Sequence, residues 1–381
     1  MDFGRTEDQQ AFADSARALF ADYCGDEALR AHDSGSEPFM RALWAQCRAT
    51  GMHAVVVGEG HGGLAQGMTE LAALLEEQGR ALALVPLAEH QLAAAAIERY
   101  APEMAARVLP DAIAGERLLT LSLDAASAAL GPRIVAERDA NALVLDGVAQ
   151  AVPLAAESDA ALLPVRLGER VRLVLLHSDT PGVSWREGRS QRHLAVADIV
   201  LARARVQTTA LLAESALGWL EPRLVAALAA QQVGVSSAQL ARTVEYISQR
   251  RQFGRAIGTF QLVAGQMADA KIALEALRSA LAQLVYRIDA ALGCAPQAQA
   301  VKVLAAQAAH LVGHKAQHVH GGMGVDVTYP MHRFLYWSRA LANTLGGAEP
   351  ALARLGDWLA ENACLGWKYD LPEDLGAADA H

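Results

Sequence analysis

The segment Tyr246-Ile-Ser-Gln-Arg-Arg-Gln-Phe-Gly-Arg-Ala-Ile-Gly-Thr-Phe-Gln261 separates two long apolar stretches of this 381-residue chain. The stretches, at about 214–249 and 259–292, contain few turn-forming residues, and a third follows at 296–318. Helices of this length exceed the average of ~11–12 residues, and their Ala- and Leu-rich composition favours a bundle. The sequence therefore predicts that the C-terminal part, residues 211–381, is a helical bundle interrupted by one basic turn.

The basic turn has the residues expected at two helix ends. Gly254 is predicted to follow the end of the first helix and Thr259 to be the N-cap of the next, because glycine and threonine are favoured at those positions. Arginine suits a pyrophosphate, because its planar fork donates two parallel hydrogen bonds, and Phe253 is placed to lie against an adenine ring. A structural interpretation stays open, in which Arg250 and Arg251 only complement the helix C-terminus.

A glycine-rich segment, Gln317-His-Val-His-Gly-Gly-Met-Gly324, follows the third helical stretch. Clustered glycines allow positive φ angles and a close approach of the backbone to a ligand. The alternative is a glycine-rich helix end and turn without a ligand. Nearby histidines have helical spacing, but no Glu or Cys joins them, so we predict no metal site. These histidines are His310, His314, His318 and His320.

The remaining sequence divides into two regions of different periodicity. From Thr6 to about Ala114 apolar residues recur at helical spacing, and Thr6 with Gln9 has the pattern of a capping box. Between about Arg117 and Val206 the apolar runs are short and bounded by Gly, Pro and Asp, which is typical of strands. The strand-like runs start at Leu118, Leu143, Ala160, Val171 and Ala197.

The predicted fold class is therefore mainly α with a middle β-domain. The predicted domains are an N-terminal helical domain at 1–116, a β-domain at 117–210 and a helical bundle at 211–381. Within the first domain, Glu76 and Glu77 are interpreted as a solvated helix face rather than as an acid/base pair.

Charge and composition exclude several kinds of partner and location. The chain has 33 Lys and Arg against 42 Asp and Glu, a net charge of −9, and no basic block, which argues against nucleic acid. We also expect no membrane span, because no apolar run reaches about 18 residues without charged or strongly polar groups. The cysteines lie far apart and no secretory signal precedes them, so we expect reduced thiols and a cytoplasmic location. They are Cys24, Cys47, Cys294 and Cys364.

The motifs together resemble the flavin-dependent acyl-CoA dehydrogenase family. In the C-terminal part the resemblance rests on Arg250-Arg-Gln-Phe-Gly254, Ile257-Gly258, Phe260-Gln261, His320-Gly-Gly-Met-Gly324 and Tyr329-Pro330. Gly58-Glu-Gly-His-Gly-Gly63 and Glu76-Glu-Gln-Gly-Arg80 are similar to the family's N-terminal pattern. The resemblance covers nearly the whole chain. It implies an acyl-CoA dehydrogenase-like fold: a helical N-domain, a β-barrel or sandwich, and a C-terminal four-helix bundle.

This resemblance implies that FAD is the cofactor and that an α,β double bond is introduced into an acyl-CoA substrate. In the family a carboxylate removes the α-proton while the β-hydrogen leaves as hydride, and an electron-transfer flavoprotein-type acceptor takes the electrons. Family members are tetramers in which one subunit grips the adenosine end of its neighbour's FAD. The residues that the resemblance assigns to this grip are Arg250, Gln252, Phe253, Gln261, His318, Gly321 and Gly322.

The sequence departs from the family where the catalytic base is expected. The two positions that carry the glutamate in family members are Leu345 and Leu224 here, and neither side chain can accept a proton. Glu349 and Glu221 lie four and three residues from these positions, and a shift of one helical turn is ~5 Å. The catalytic residue is therefore predicted to be absent, with Glu221 and Glu349 as weak candidates.

The flavin-side motifs of the family are missing as well. The corresponding segments, residues 123–132 and 147–153, contain mostly small apolar residues. A glutamine that family members carry before the glycine pair is His318 here, with Gln317 beside it.

These losses lead to two hypotheses. In the first, the chain is the non-catalytic subunit of an α2β2 heterotetramer and completes the FAD site of a catalytic acyl-CoA dehydrogenase partner. The form of residues 320–338 is similar to heteromeric enzymes of bacterial steroid side-chain degradation, so the implied substrate is a steroid side-chain CoA ester. In the second, the chain is a self-sufficient homotetramer with a displaced base, Glu221 or Glu349.

Overall fold

A computed structural model describes Gly4, residues 6–127 and residues 131–362. These residues form two compact units. The bundle unit contains the described residues up to Ser36, then Ala72–Ala83, and those from Val225 onward. The sheet unit contains Glu37–Leu71 and Leu84–Leu224. The division into three domains at residues 116 and 210 stays a prediction.

The N-terminal region is helical, as its periodicity predicts. Its helices are α1 Glu7–Tyr23, α2 Asp26–Ser34, α3 Arg41–Ala49, α4 Met68–Ala81, α5 Leu87–Tyr100 and α6 Pro102–Ala114. The predicted capping box is confirmed: the Gln9 N–H donates to Thr6 Oγ1 at 3.3 Å, and the Thr6 N–H donates to Gln9 Oε1 at 3.0 Å. These two bonds satisfy donors at the start of α1 that have no partner within the helix.

A mixed sheet with seven strands forms the middle of the sheet unit. After β1 Leu119–Leu121 and the short helix α7 Asp124–Ser127 come β2 Val135–Asp139, β3 Ala142–Pro153, β4 Ala160–Leu167, β5 Arg170–His177, β6 Val183–Arg189 and β7 Ala195–Gln207. The strand order is β1-β4-β2-β3-β7-β6, with β5 paired to β4. Strand β4 is parallel to β1 and β2, and the other pairs are antiparallel.

Alternating side chains of these strands build one apolar core. Leu143 and Leu145 of β3 pack in it with Leu163 of β4 and Ile199 of β7. Strand β3 shifts register against β7 at two places, between Leu145 and Gly147 and between Ala149 and Val152. Such irregularities bend a strand, and the sheet is curled. The predicted fold class, mainly α with a middle β region, is confirmed.

Long helices dominate the C-terminal region. Its elements are α8 Ala216–Gln249, β8 Arg251–Gln252, β9 Arg255–Ala256, α9 Gln261–Asp289, α10 Ala295–His320, α11 Gly322–Val325, α12 Met331–Asn343 and α13 Ala348–Glu361. Helix α10 contacts α9, α12 and α13. Helix α8 is long and apolar enough to cross a membrane, but 83% of its most apolar 18-residue window is buried in the protein, so its composition is weak evidence for a span.

Two glycines allow α4 and α8 to touch through their backbones inside the bundle unit. A Cβ added to Gly79 would lie 2.0 Å from the carbonyl oxygen of Gln231, and one added to Gly234 would lie 1.9 Å from that of Glu76. Both distances are far below van der Waals contact. Glycine is therefore required at both positions for the helices to pack as they do.

This crossing corrects the interpretation of Glu76 and Glu77 as a solvated face. The side chains are 9% and 1% exposed, because α4 packs within the bundle unit with its acidic residues inward. Glu77 accepts hydrogen bonds from Arg17 and Arg80, and Glu76 accepts from Arg80 and Arg278. The two carboxylates are therefore structural, each compensated by two guanidinium groups.

Candidate functional site

The basic turn after α8 is a tight β-hairpin, called here the arginine turn (Arg250–Gly258). The Arg250 N–H donates to the Tyr246 carbonyl at 2.8 Å, and the Arg250 carbonyl accepts from the Ile257 N–H at 2.8 Å. Strands β8 and β9 pair antiparallel, joined by Phe253 at φ 52° and Gly254 at φ 80°. Positive φ at both central residues is the geometry of a type I′ hairpin turn.

The two predictions about helix ends at this turn were wrong. Gly254 is the second residue of the hairpin turn rather than the residue that follows the helix, because β8 and β9 intervene. Thr259 ends a 3-10 turn and its Oγ1 donates to the Ala256 carbonyl at 2.7 Å, while Phe260 occupies the N-cap of α9. Gln261 is therefore the first residue of α9, directly after the turn.

The arginine turn presents charge and an aromatic ring to the outside of the bundle unit. Arg250, Arg251 and Gln252 are exposed, and Phe253 is 92% exposed. The Arg255 guanidinium lies 4.1 Å from the centre of the Phe260 ring. Within residues 6–127 and 131–362, the side chains of Arg250 and Arg251 make no hydrogen bond or ion pair. Arginines without a partner beside an exposed ring are available for an anionic, aromatic ligand.

The second motif forms a glycine loop (Gly321–Gly324) at the end of α10. Gly321 has φ 57°, and its N–H donates to the carbonyls of Gln317 and His318. A Cβ added to Gly321 or Gly322 would meet nothing within 4 Å among the described atoms. Packing inside the chain therefore does not require glycine at 322, and open space lies above both residues. His318, Gly321 and Gly322 are exposed.

Tyr246 links the arginine turn to the glycine loop. Its ring stacks on that of His320, with centroids 4.3 Å apart and planes 20° from parallel. Its hydroxyl donates to Met323 Sδ at 3.9 Å. Sequence reasoning did not assign either ring of this stack to the site, because they are far apart along the chain. The aromatic character of both residues beside the two motifs was the available signal.

Two buried polar atoms near the end of α10 have no hydrogen-bond partner among the described residues. His320 Nδ1 donates to the Ala316 carbonyl at 2.8 Å, so Nε2 is the acceptor nitrogen of the neutral ring. The two atoms are His320 Nε2 and Gln317 Oε1. Burial lowers the pKa of His320, which favours the neutral ring. Buried polar atoms without partners are uncommon in folded proteins and call for a missing group such as a ligand or water.

These observations test whether the residues suit FAD. Unpaired arginines suit its pyrophosphate, and the exposed Phe253 ring suits its adenine. Open space at the Cβ positions of Gly321 and Gly322 suits a close approach of its phosphates or ribose. Two buried polar atoms without partners among the described residues belong to the same stretch of chain, residues 317–322. The arginine turn and glycine loop therefore fit the nucleotide end of the cofactor.

The two leucines that the sequence resemblance assigns to the positions of the catalytic base are buried. Leu345 is 1% exposed and has φ 59° in the turn between α12 and α13, and Leu224 on α8 is 4% exposed. Glu349 is exposed in the first turn of α13, and Glu221 on α8 is half-buried. None of the four combines a buried position with a carboxylate.

The two segments expected to contact the flavin ring are short of polar groups. Leu123 is buried and Asp124–Ser127 forms α7, while residues 128–130 lie outside the described part of the chain. Gly147 to Pro153 belongs to β3, where Ala149 and Val152 point into the sheet core. Backbone pairing with β7 uses part of the hydrogen-bonding capacity of this segment.

The histidines of α10 do not gather metal ligands. The rings of His310 and His314 lie 4.2 Å apart between centroids, as their helical spacing predicts. In the part of the chain that the structure describes, no three His, Cys, Asp or Glu side chains are grouped so as to hold a metal ion. The thiol of Cys47 is free and buried, and Cys364 lies outside the described residues.

Comparisons with known proteins show the family of this chain. The models for the N-terminal and C-terminal domains of acyl-CoA dehydrogenase match residues 6–116 and 225–359. Acyl-CoA dehydrogenase FadE27 of Mycobacterium tuberculosis is 32% identical over 373 residues, which are 95% of this chain and 99% of that protein.

Two similar solved structures are heteromeric by name. A variant of the Tcur3481-Tcur3483 steroid ACAD superposes with a TM-score of 0.88 at 34% identity, covering 94% of this chain and 99% of the other. The ChsE4-ChsE5 complex from Mycobacterium tuberculosis gives a TM-score of 0.89 at 31% identity, covering 95% and 100%. From these matches together, the chain belongs to the acyl-CoA dehydrogenase family, as the sequence motifs predicted.

Proposed function

We propose that this chain is the non-catalytic subunit of a heteromeric FAD-dependent acyl-CoA dehydrogenase, and that it completes the FAD site of a catalytic partner in an α2β2 tetramer. One contrast carries the proposal. Arg250 and Arg251 stand exposed and unpaired among the described residues, whereas Leu345 and Leu224 fill the base positions. The chain thus has the groups that grip a nucleotide from outside and lacks those that remove a proton.

The residues of the arginine turn would hold the nucleotide end of FAD. The cofactor is the one expected for the family and, when bound, supplies the acceptor for the hydrogen that leaves the β-carbon. The Arg250 guanidinium would donate paired hydrogen bonds to the pyrophosphate, and Phe253 would cover the adenine. Gln252 at the turn and Gln261 at the start of α9 would offer amide donors and acceptors.

The glycine loop would approach the same end of the cofactor. Gly321 and Gly322 lack the Cβ that would keep the backbone away, and His318 would offer a ring nitrogen in place of the family's amide. The partner would then supply the carboxylate that removes the α-proton, because the hydrocarbon side chains of Leu345 and Leu224 cannot accept one.

The substrate class is inferred from the heteromeric relatives. One of them is named as a steroid ACAD and another as a two-protein complex, which supports a steroid side-chain CoA ester as the substrate of the assembly. An electron-transfer flavoprotein-type protein would accept the electrons. The proposal includes a cytoplasmic location, with neither a membrane nor nucleic acid among the partners.

A comparison of the chain alone with the assembled complex tests the proposal. The chain would be purified alone, and also after co-expression with a second acyl-CoA dehydrogenase chain that co-purifies with it from its source cells. We expect colourless, inactive protein alone, and in the complex a flavin spectrum and dye reduction with a steroid side-chain CoA ester. Yellow protein that reduces the dye alone would support the self-sufficient homotetramer with Glu221 or Glu349 as a displaced base.

A further inference from the structure

We propose that Tyr246 and His320 are positioning residues that hold the arginine turn and the glycine loop together as one nucleotide-binding surface. The inference rests on the proposed function, since it concerns the same FAD-binding half-site. It assigns a role to two residues that would not themselves need to touch the cofactor.

Tyr246 is attached to the arginine turn through the backbone. Its carbonyl accepts the Arg250 N–H at 2.8 Å, the last α-helical hydrogen bond before the hairpin. The direction in which the chain leaves α8 is therefore set at Tyr246. Displacing this residue would move Arg250 with it.

His320 is attached in the same way to the glycine loop. It is the last residue of α10 and directly precedes Gly321. Its side chain is 3% exposed, and its Nδ1–H group donates to the Ala316 carbonyl at 2.8 Å, which fixes the ring against its own helix. The ring of Tyr329 lies 5.6 Å away at an angle of 45° and covers it further.

The stack joins these two fixed points. Near-parallel rings 4.3 Å apart leave no room for solvent between them, and the Tyr246 hydroxyl reaches Met323 Sδ beyond the stack. Within the loop, the Gly321 N–H donates to the carbonyls of Gln317 and His318, and the Gly324 N–H donates to the Gly321 carbonyl. These backbone hydrogen bonds join residues 317–324 to one another, whereas the ring stack joins the end of α10 to α8.

Holding the two motifs in one arrangement matters for binding, because a ligand that touches both must otherwise order them when it binds. Ordering lowers affinity, and a surface that is already ordered avoids that loss. Removing either ring should therefore loosen the glycine loop and weaken FAD binding while leaving the bundle folded. A phenylalanine at Tyr246 keeps a ring in the stack and should preserve both properties.

The test compares variants in the co-expressed complex. Tyr246→Leu and His320→Leu remove a ring, whereas Tyr246→Phe keeps one. Tyr286→Leu, on α9 of the same bundle, is the matched control for the loss of a tyrosine. FAD bound per complex is measured from the flavin absorbance during titration, and hydrogen exchange is measured in peptides covering residues 317–330. Thermal unfolding of each complex shows whether it is folded.

We expect each leucine variant to raise the Kd for FAD by roughly 2- to 10-fold, the range expected for one aromatic pair. Exchange at Gly321–Gly324 should become faster, even before FAD is added. Tyr246→Phe and Tyr286→Leu should match the parent complex in both measurements. If the leucine variants do not assemble, Tyr246→Phe decides the question. Loss of FAD from the assembled Tyr246→Phe complex would overturn the positioning role of the rings.

The failure of this inference can be distinguished from the failure of the proposed function. If Tyr246→Leu leaves both exchange and FAD affinity unchanged while Arg250→Ala releases FAD, the positioning role is wrong and the grip on FAD stands. If Arg250→Ala also leaves FAD in place, the assignment of the cofactor to this surface is wrong, and the exchange data alone report whether the stack orders the loop.

Discussion

The carboxylate of Glu77 accepts two hydrogen bonds from the guanidinium group of Arg17, at 3.0 and 2.9 Å, although Glu77 is only 1% exposed. Arg80 donates a third, also at 3.0 Å. Burying a carboxylate is unfavourable unless such partners surround it. Helix α1 and helix α4 are joined at this point inside the bundle unit.

Glu77→Gln should therefore destabilise the protein. An amide cannot accept all three charged donors, and Arg17 and Arg80 each lose one of the two carboxylates with which they pair. We expect the free energy of unfolding to fall by about 1–3 kcal/mol, measured by denaturant titration. The control is Glu275→Gln, which removes an exposed carboxylate paired to Lys271 and should change stability by about 0.5 kcal/mol or less. Equal effects of the two variants would contradict the structural role of Glu77.

The helix crossing between α4 and α8 predicts a second, larger effect. Gly79→Ala places a methyl group 2.0 Å from the Gln231 carbonyl oxygen, so the helices must separate. We expect a loss of about 1–3 kcal/mol or more in the free energy of unfolding of the isolated chain. Gly265→Ala is the matched control, because its added Cβ meets nothing within 4 Å in α9 and alanine favours a helix by ~0.5–1 kcal/mol. A tolerated Gly79→Ala would show that the helices do not pack as described.

A buried histidine pair makes the sheet unit sensitive to acid. His90 accepts the Leu119 N–H through Nδ1 at 3.1 Å and stacks near His53 with centroids 6.0 Å apart. Burial, together with the nearby His53, lowers the pKa of His90 to about 3, and burial also lowers the pKa of His53. These pKa values lie below the unfolded value of ~6.5. The stability that the two neutral histidines contribute is therefore fully present above about pH 6.5 and is lost as the pH falls below that value.

The free energy of unfolding that depends on neutral His90 falls between about pH 6.5 and the folded pKa of about 3. It falls by up to ~1.4 kcal/mol per pH unit. Hydrogen exchange in α5 at pH 7 and pH 5 measures this loss. His90→Gln, which can still accept from the Leu119 N–H, should flatten the pH dependence, whereas His310→Gln removes an exposed histidine and should not. A steep dependence that persists in His90→Gln would assign the acid sensitivity to other groups.

The weak candidates for a catalytic base give a prediction about activity. Glu349 is exposed and Glu221 is half-buried, and they lie four and three residues from Leu345 and Leu224, the predicted base positions. If a partner supplies the base, Glu221→Gln and Glu349→Gln should leave kcat/KM of the complex within about 2-fold of the parent. Loss of a general base costs roughly 100-fold or more. A loss of that size in either variant would favour the displaced-base enzyme.

The sequence predicted the elements whose apolar residues follow a clear period. The long helices near 214–249, 259–292 and 296–318 correspond to α8, α9 and α10. Strands β2 and β6 were not predicted, because Val135–Asp139 and Val183–Arg189 contain several charged residues that break the alternation of a half-buried strand.

The site was predictable where its residues are adjacent in sequence. The arginine turn and the glycine loop were both recognised, but Phe253 at positive φ was not, since bulky residues rarely adopt that conformation. The Tyr246–His320 stack and the Arg278–Glu76 ion pair join distant parts of the chain. Local patterns can mark such residues as aromatic or charged, but they do not show which of them pair, because pairing depends on how the helices pack.

The most direct measurement is the FAD content of the co-expressed complex when only this chain carries Arg250→Ala. Removing a charge-assisted pair costs ~1.5–3 kcal/mol, a roughly 10- to 150-fold rise in the Kd for FAD. The complex should therefore lose flavin absorbance on gel filtration while both chains remain assembled and folded. Full FAD occupancy with an unchanged Kd in the assembled Arg250→Ala complex would contradict a grip on the partner's cofactor by this chain.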